Sequence, residues 1–397
     1  MKVSLIAMGA GAGTLTLGAL AALQRAGLIL GAPRLLELVP DIYKAKRVSA
    51  VRTEDLLQLI EESQEENIAA VFSGDVGFYS GACLLSQRLE EKGIEWECMP
   101  GVSSVQLLAA HLGCPWQDWA LISAHGRACD PVLPVMQGKS VLFLTGGENT
   151  AAVLCQKLTA AGLGALPVCA GQNLGMPEEK ILRGTAQQLA ESAMSPLTVL
   201  LTAPLEIPYA EYGPALPDEV FERSKVPMTK QSVRAVILSQ LHPEKTDVCW
   251  DVGGGTGSVA IMLSRAAGRV YSVETNPEAF ALMQKNREKL GAWNMTALLG
   301  TAPEALEDLP RPDKVFIGGS KGNLPGILQV ILAKNPAARI CASAVTLETL
   351  HTASRAMQKQ GLAPRITQVS VSESKVVGSL HMMLAQNPVW LITGGKP

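Results

Sequence analysis

The chain has 397 residues, 47% of them hydrophobic and 18% charged, which is enough for two or three domains with cores of their own and excludes disordered, fibrous and supercharged classes. Its net charge of −2 is uneven: residues 1–217 hold 14 Lys and Arg against 21 Asp and Glu, and residues 218–397 hold 20 against 15. No run of Lys or Arg marks either half, so nucleic-acid binding is not expected, whereas a small polyanionic ligand suits the positive second half.

From Val3 the pattern reads strand (VSLIAMGA), glycine loop (GAGAG, 9–13), helix (14–27) and strand (LILG, 28–31). Met1, Lys2 and the apolar stretch to Leu23 look superficially like a secretory signal, but glycines break the stretch and a second apolar run follows at once. Further βα alternation comes with IAAVFSG (68–74), a helix over 81–92 and IEWECMPG (94–101), predicting an α/β layer fold with a largely parallel sheet. A second lobe is expected from about residue 114, with a strand at 141–147 and a helix to Lys157. Five prolines between Ala203 and Pro227 and little periodicity predict a linker over 206–226. Beyond it, a helix over 229–241, strand DVCWDVGG, a helix over 257–267, strand RVYSVE and a helix over 277–290 lead into βα units that run to 389–395. The expected domains are therefore 1–205, with lobes of about 1–113 and 114–205, and 227–397. No apolar run approaches the roughly 18 residues of a membrane helix, so no membrane span is expected.

The eight cysteines, at 83, 98, 114, 129, 155, 169, 249 and 341, include no CxxC, and the histidines show no ligand spacing. We expect no metal site and no disulfide framework, and a cytoplasmic setting.

The strongest local signal is DVGGGTGS (251–258), which follows an apolar strand and opens a helix. Gly253, Gly254, Gly255 and Gly257 allow a tight turn and close approach to a ligand, with Thr256 among them, and the helix N-terminus lies just beyond. Glu274 falls 17 residues after Gly257 at the tip of the next strand, where a carboxylate accepts hydrogen bonds from both hydroxyls of a ribose. The acidic first residue and the GxGTG spacing favour S-adenosylmethionine over a dinucleotide. In the first half, GAGAG, SGDVGFYS (73–80), MPGVSS (99–104), SAHGR (123–127) and TGGENT (145–150) each end a strand, and together at one sheet edge they predict a ligand cleft.

VPMTK (226–230), WDVGGGTGSVAI (250–261), VYSVETNPEA (270–279), GTAPEAL (300–306), VFIGGSKG (315–322) and AVTLETL (344–350) resemble the class I methyltransferase domain of the corrin pathway, over essentially all of 217–397. The resemblance implies that Thr229, the loop Gly253–Gly257, Glu274 and Ala302 line S-adenosylmethionine. Thr301 departs from that family, where an acid is common. The first-half loops, with ILGAPRLLEL (29–38) and QNLGMPEEK (172–180), look like the tetrapyrrole methylase family in its corrin C5-methylating branch, whose two α/β lobes bind S-adenosylmethionine between them. On that resemblance Ser73, Gly74, Asp75, Phe78, Ser103, Ser104 and Thr145 contact a second S-adenosylmethionine, although Ala12 and Thr14 replace the usual Pro and Asp of the first loop.

The two resemblances together imply a bifunctional carbon methyltransferase of cobalamin biosynthesis acting at C5 and C15 of an anionic tetrapyrrole, with decarboxylation of its C12 acetate; a homo-oligomer is expected, with the C-terminal domain as the candidate interface. An RNA methyltransferase and a noncatalytic S-adenosylmethionine sensor are the alternatives. The candidates for substrate binding or proton transfer are His125 and Arg127, readable also as ordinary loop residues, and Ser320 and Lys321, readable also as solvated loop. Asp75 reads equally as a helix cap.

Overall fold

Near-continuous apolar runs such as SLIA and IAAV call for strands buried on both faces, and that is how the first strands lie. The structure, a computed structural model, describes residues 1–10 and 12–395; Gly11 of the first glycine loop falls outside the described residues. The chain divides into two compact units, the first made of Met1–Val135, Lys139–Ala160 and Gly164–Leu205, the second of Glu206–Pro397 with Met136–Gly138 and Ala161–Leu163.

The first lobe of unit one alternates β1 (Lys2–Ala7), α1 (Leu17–Arg25), β2 (Leu28–Gly31), α2 (Pro33–Glu37), β3 (Lys46–Ser49), α3 (Thr53–Glu61), β4 (Asn67–Phe72), α4 (Ala82–Glu91), β5 (Glu95–Met99) and α5 (Ser104–Leu112). Its sheet is parallel throughout in the order β3-β2-β4-β1-β5. Alternate residues of β1 go to opposite cores, Val3 and Leu5 to one and Ile6 to the other, as the twofold strand period requires. Thr16 caps α1 by accepting from the Ala19 N–H at 3.2 Å.

The second lobe contains β6 (Ala120–Ser123), α6 (Val132–Val135), β7 (Val141–Leu144), α7 (Ala151–Leu158), β8 (Pro167–Gln172), β9 (Lys180–Thr185), α8 (Ala186–Ala190) and β10 (Thr198–Thr202), in the order β6-β7-β10-β8-β9. Only β6 and β7 pair in parallel; the β7–β10, β10–β8 and β8–β9 pairs are antiparallel. Within this unit, the largely parallel sheet expected from the sequence therefore holds for the first lobe alone. The short 173–179 connection between β8 and β9 is a hairpin, too short for the crossover that a parallel pair needs.

Unit two runs α9 (Gln231–Leu241), β11 (Val248–Val252), α10 (Ser258–Ala266), β12 (Arg269–Glu274), α11 (Pro277–Lys289), β13 (Met295–Leu299), β14 (Lys314–Ile317), α12 (Leu324–Lys334), β15 (Arg339–Ala344), α13 (Leu347–Lys359), β16 (Arg365–Val369), β17 (Ser372–Val377), β18 (Leu380–Ala385) and β19 (Val389–Gly394). Its main sheet has the order β13-β12-β11-β14-β15-β19-β16, parallel except for β19 against its two neighbours. β17 and β18 form a separate antiparallel hairpin exposed on both faces, where the sequence predicted only βα units.

The proline-rich segment expected as a linker is part of this unit. Leu216, Val220 and Phe221 are buried in its core. The wholly buried Arg234 of α9 donates to Asp218 Oδ1 at 2.7 Å, to Thr229 O at 2.6 Å and to Leu216 O at 2.7 Å, and lies 4.7 Å from the centre of the Phe221 ring. Arg265 likewise donates to the carbonyls of Pro208, Tyr209 and Gly213. A planar fork with several donors satisfies carbonyls that a chain without secondary structure leaves unpaired.

Candidate active sites

In unit two, β11 carries Asp251 and ends at Val252, and the glycine loop turns under the tip of β12. Gly253 N and Gly254 N donate to Val273 O at 2.9 and 3.1 Å, and Gly255 N donates to Glu274 Oε2 at 2.8 Å. Glu274 Oε1 accepts from the N–H groups of Thr275 and Asn276, each at 2.8 Å, so this carboxylate ties two loops together and keeps one lone pair of Oε2 for a ligand. Gly253 has φ +79° and a Cβ there would stand 2.7 Å from Gly319 N, so no side chain is tolerated.

These residues open on a cavity of about 750 Å³ lined by Thr229, Gly253, Gly254, Gly255, Thr256 and Glu274. Gly257, expected with them, is instead the N-cap residue of α10, where its φ of +79° sets the turn into the helix, and it does not line the cavity. Ala302, Ser320 and Lys321 line a smaller neighbouring pocket of about 90 Å³ that shares Gly253 and Glu274 with the larger one. Ser320 and Lys321 thus line the smaller pocket and not the larger one.

Two polar groups of this cavity lack partners. Asp251, 1% exposed, has an Oδ1 with no hydrogen bond, and the Thr256 hydroxyl, also 1% exposed, has none. Burial pushes the Asp251 carboxyl up to about 7, with the Ser272 hydroxyl at 3.3 Å opposing the rise. A buried carboxylate on the lining of a cavity, without a counter-charge, fits a ligand that brings a cation, and Glu274 with its remaining lone pair fits a hydroxylated one. A nucleoside with an ammonium-bearing tail, the chemistry of S-adenosylmethionine, meets both demands.

Unit one has a cavity of about 570 Å³ between its lobes. All the residues expected there line it: Ser73, Gly74, Asp75 and Phe78 after β4, Ser103 and Ser104 after β5, His125 and Arg127 after β6, and Thr145 after β7. The loops thus come from two sheets, not from one sheet edge as the sequence suggested.

Several of these side chains are already engaged. Asp75 Oδ1 accepts from Gly77 N at 2.9 Å and Oδ2 from Gly101 N at 3.0 Å, so it fastens two cavity loops to each other. The Ser103 hydroxyl accepts from Val105 N and caps α5 in a capping box with Gln106. Thr145 donates to Thr198 O at 2.5 Å, and Tyr79, with φ +50°, donates across the lobes to Leu121 O at 3.2 Å. Gly74 exchanges two hydrogen bonds with Gly9, of 3.0 and 3.1 Å, which ties the chain after β1 to the loop after β4. Gly146 makes room for His125: a Cβ there would fall 1.8 Å from His125 Nδ1.

Sequence reasoning missed Arg34, at the start of α2, and Lys225, Gln386 and Asn387 of unit two, all of which line these cavities. Arg34 lay within a quoted segment, but nothing in one sequence distinguishes it from a surface arginine.

Residues 2–190 match the model of the tetrapyrrole (corrin/porphyrin) methylases, and residues 219–394 that of a precorrin methyltransferase domain. A precorrin-6Y C(5,15)-methyltransferase [decarboxylating] of Sinorhizobium sp is 32% identical over 347 residues, 81% of this chain and 82% of that protein. The chain belongs to the precorrin-6Y C5,15-methyltransferase (decarboxylating) family. A shorter relative from Pyrobaculum calidifontis, named a probable cobalt-precorrin-6B C(15)-methyltransferase (decarboxylating), is 41% identical over 191 residues, 47% of this chain and 97% of its own length. A crystal structure titled precorrin-6y C5,15-methyltransferase, from Geobacter metallireducens GS-15, is 38% identical and covers 46% of this chain and 97% of its own, with a TM-score of 0.44. Membership in this family sets aside the RNA methyltransferase and sensor alternatives.

Proposed function

We propose that this chain methylates C5 and C15 of precorrin-6B, also called precorrin-6Y, and removes the carboxyl group of its C12 acetate, giving precorrin-8 in cobalamin biosynthesis. The observation that carries the reading is the 347-residue match, which is longer than either unit. The chain is a decarboxylating methyltransferase and draws its methyl groups from S-adenosylmethionine. We assign one donor site to each unit, C5 chemistry to the first and C15 chemistry with decarboxylation to the second. The division is supported by the Pyrobaculum relative, which is named for the C15 step and the decarboxylation at about half this length.

When bound, S-adenosylmethionine supplies an electrophilic methyl group on a sulfonium. In unit two Glu274 would accept from a ribose hydroxyl with its remaining lone pair, and Asp251 with Thr256 would hold the amino acid end, three anchors on β11, β12 and the loop between β11 and α10. The acceptor carbons of a reduced tetrapyrrole are enamine-like and nucleophilic already, so alignment by the protein supplies much of the acceleration and no strong base is needed. The unit-two cavity has an apolar wall of Phe316, Val345, Val369 and Val389. A carboxylate held there loses hydration, its C–C bond electrons pass into the conjugated ring system as CO₂ leaves, and the remaining CH₂ becomes a methyl group on taking a proton from water.

We further propose self-association through the β17–β18 hairpin, supported by Val376, Leu380 and Met383, which are all more than 60% exposed. A cytoplasmic setting is supported by the eight unpaired cysteines, four of them buried. Incubation with precorrin-6B and methyl-labelled donor tests the reading by mass: two labelled methyl groups gained and one CO₂ lost per product. Methyl transfer to neither carbon would overturn it.

A further inference from the structure

The first unit carries 14 Lys and Arg against 19 Asp and Glu over residues 1–205, a poor match to a substrate with many carboxylates. Its cavity has the opposite balance. The charged or titratable side chains on its lining are Arg34, Asp75, Tyr79, His125 and Arg127. Asp75 has each oxygen on a backbone N–H, and those dipoles blunt its field toward the cavity. Lys2, Arg25, Arg47, Arg88 and Lys92 elsewhere in the unit are each paired with a carboxylate. The guanidinium groups of Arg34 and Arg127 have no ion pair or hydrogen bond among the described residues, and both residues are exposed.

Each has its backbone fixed. Arg34 follows Pro33 at the start of α2 in the first lobe, beside the buried Leu35 and Leu36. Arg127 lies in the second lobe, where its carbonyl accepts from Asn149 Nδ2 at 2.6 Å. Two free forks on rigid stems, one from each lobe and facing one cavity, form a bidentate receptor for two separated carboxylates. Guanidinium groups repel the sulfonium of the donor, and the donor affinity measured below separates a grip on the donor's own carboxylate from a grip on the substrate.

We propose that Arg34 is a substrate-binding residue of the first unit, gripping a peripheral carboxylate of the tetrapyrrole while Arg127 grips another, so that the macrocycle bridges the lobes with its acceptor carbon held over the donor. This rests on the C5 assignment made above.

The test uses the full chain, as wild type, Arg34→Ala, Arg34→Gln and Arg34→Lys, with precorrin-6B and with the same tetrapyrrole after methyl esterification of its carboxylates. The Michaelis constant for the C5 methylation is read by ¹³C NMR of the methyl product, and S-adenosylmethionine affinity by calorimetry. Loss of a charge-assisted pair costs roughly 10- to 150-fold, and that rise in KM is expected for Arg34→Ala and Arg34→Gln, with Arg34→Lys recovering part of it. Donor affinity stays within about twofold. Esterification is expected to harm the wild type far more than Arg34→Ala, a coupling that a merely structural residue does not give. An unchanged KM in the variants, equal penalties on the ester in wild type and variant, or a loss of donor affinity to match would each overturn the role of Arg34. A wild type that places no methyl at C5 would instead overturn the assignment beneath it.

Discussion

Replacing Asp251 by asparagine separates what this charge costs the ligand-free protein from what it contributes to binding. Burial pushes the carboxyl up to about 7, against about 3.9 for an ordinary aspartate, so ionising it in the folded protein costs about 4 kcal/mol. Between those two values the unfolded chain holds fewer protons than the folded one, and stability falls as pH rises; it is full below about pH 4 and the loss is complete above about 7. The amide carries no such charge but still leaves a polar group without a partner, at about 1–3 kcal/mol. The net gain for Asp251→Asn at pH 8 is therefore about 1–3 kcal/mol, and unit two melts later by about 2–4 °C for each kcal/mol. Binding moves the other way. A ligand cation beside Oδ1 favours the carboxylate, so at pH 6 wild-type unit two sheds about 0.9 proton per S-adenosylmethionine bound, and its affinity climbs with pH up to about 7. Calorimetric titration in buffers of different ionisation enthalpy measures that proton, and scanning calorimetry at pH 5 and 8 measures the melting. Equal melting of both proteins at pH 8, together with proton-free binding by the wild type, would refute the reasoning.

Glu274→Ala removes the acceptor for three backbone N–H groups as well as the ribose anchor, so donor affinity at unit two drops roughly 10- to 150-fold, and NMR of the product shows a methyl at C5 without one at C15. Asp75→Ala unfastens the 73–77 and 99–104 loops; two backbone bonds of about 1 kcal/mol each translate into roughly a tenfold or greater loss of donor affinity at unit one, seen as one weakened site in a two-site titration. Asp218→Ala strands the buried guanidinium of Arg234, at a cost of about 3 kcal/mol, and unit two melts about 6–12 °C earlier, which differential scanning calorimetry reads directly.

The unit-two loop was legible because its chemistry is local: the strand, the four glycines and the acid at the next strand tip lie within 24 residues, Asp251 to Glu274, and the parallel βαβ geometry brings them together. The unit-one cavity was legible only as a set of small-residue loops, because which sheet each loop ends depends on pairings far apart in sequence. The antiparallel half of the second lobe was not legible, since β8, β9 and β10 are short strands whose direction is set by connection length. Prolines at 204, 208, 214 and 217 spoke for a linker, and Leu216, Val220 and Phe221 have no helical or strand period to say otherwise. They are fixed by Arg234 and Arg265, residues contributed from helices well downstream. The β17–β18 hairpin escaped notice because both its faces are exposed, which leaves no polar–apolar alternation to read.

Both units close their sheets from within. β10 is the last strand of the second lobe, yet it lies between β7 and β8; β19 is the last of the chain, yet it lies between β15 and β16. On the ribosome, β7 and β8 must therefore wait with open edges until Thr198–Thr202 emerges, and β15 and β16 wait until Val389–Gly394 does. The first lobe has no such delay, since every strand of its sheet has been made by Met99. Removing β19 would not shave off an edge strand but would cut β16 away from its sheet, so this strand is the keystone of the second unit.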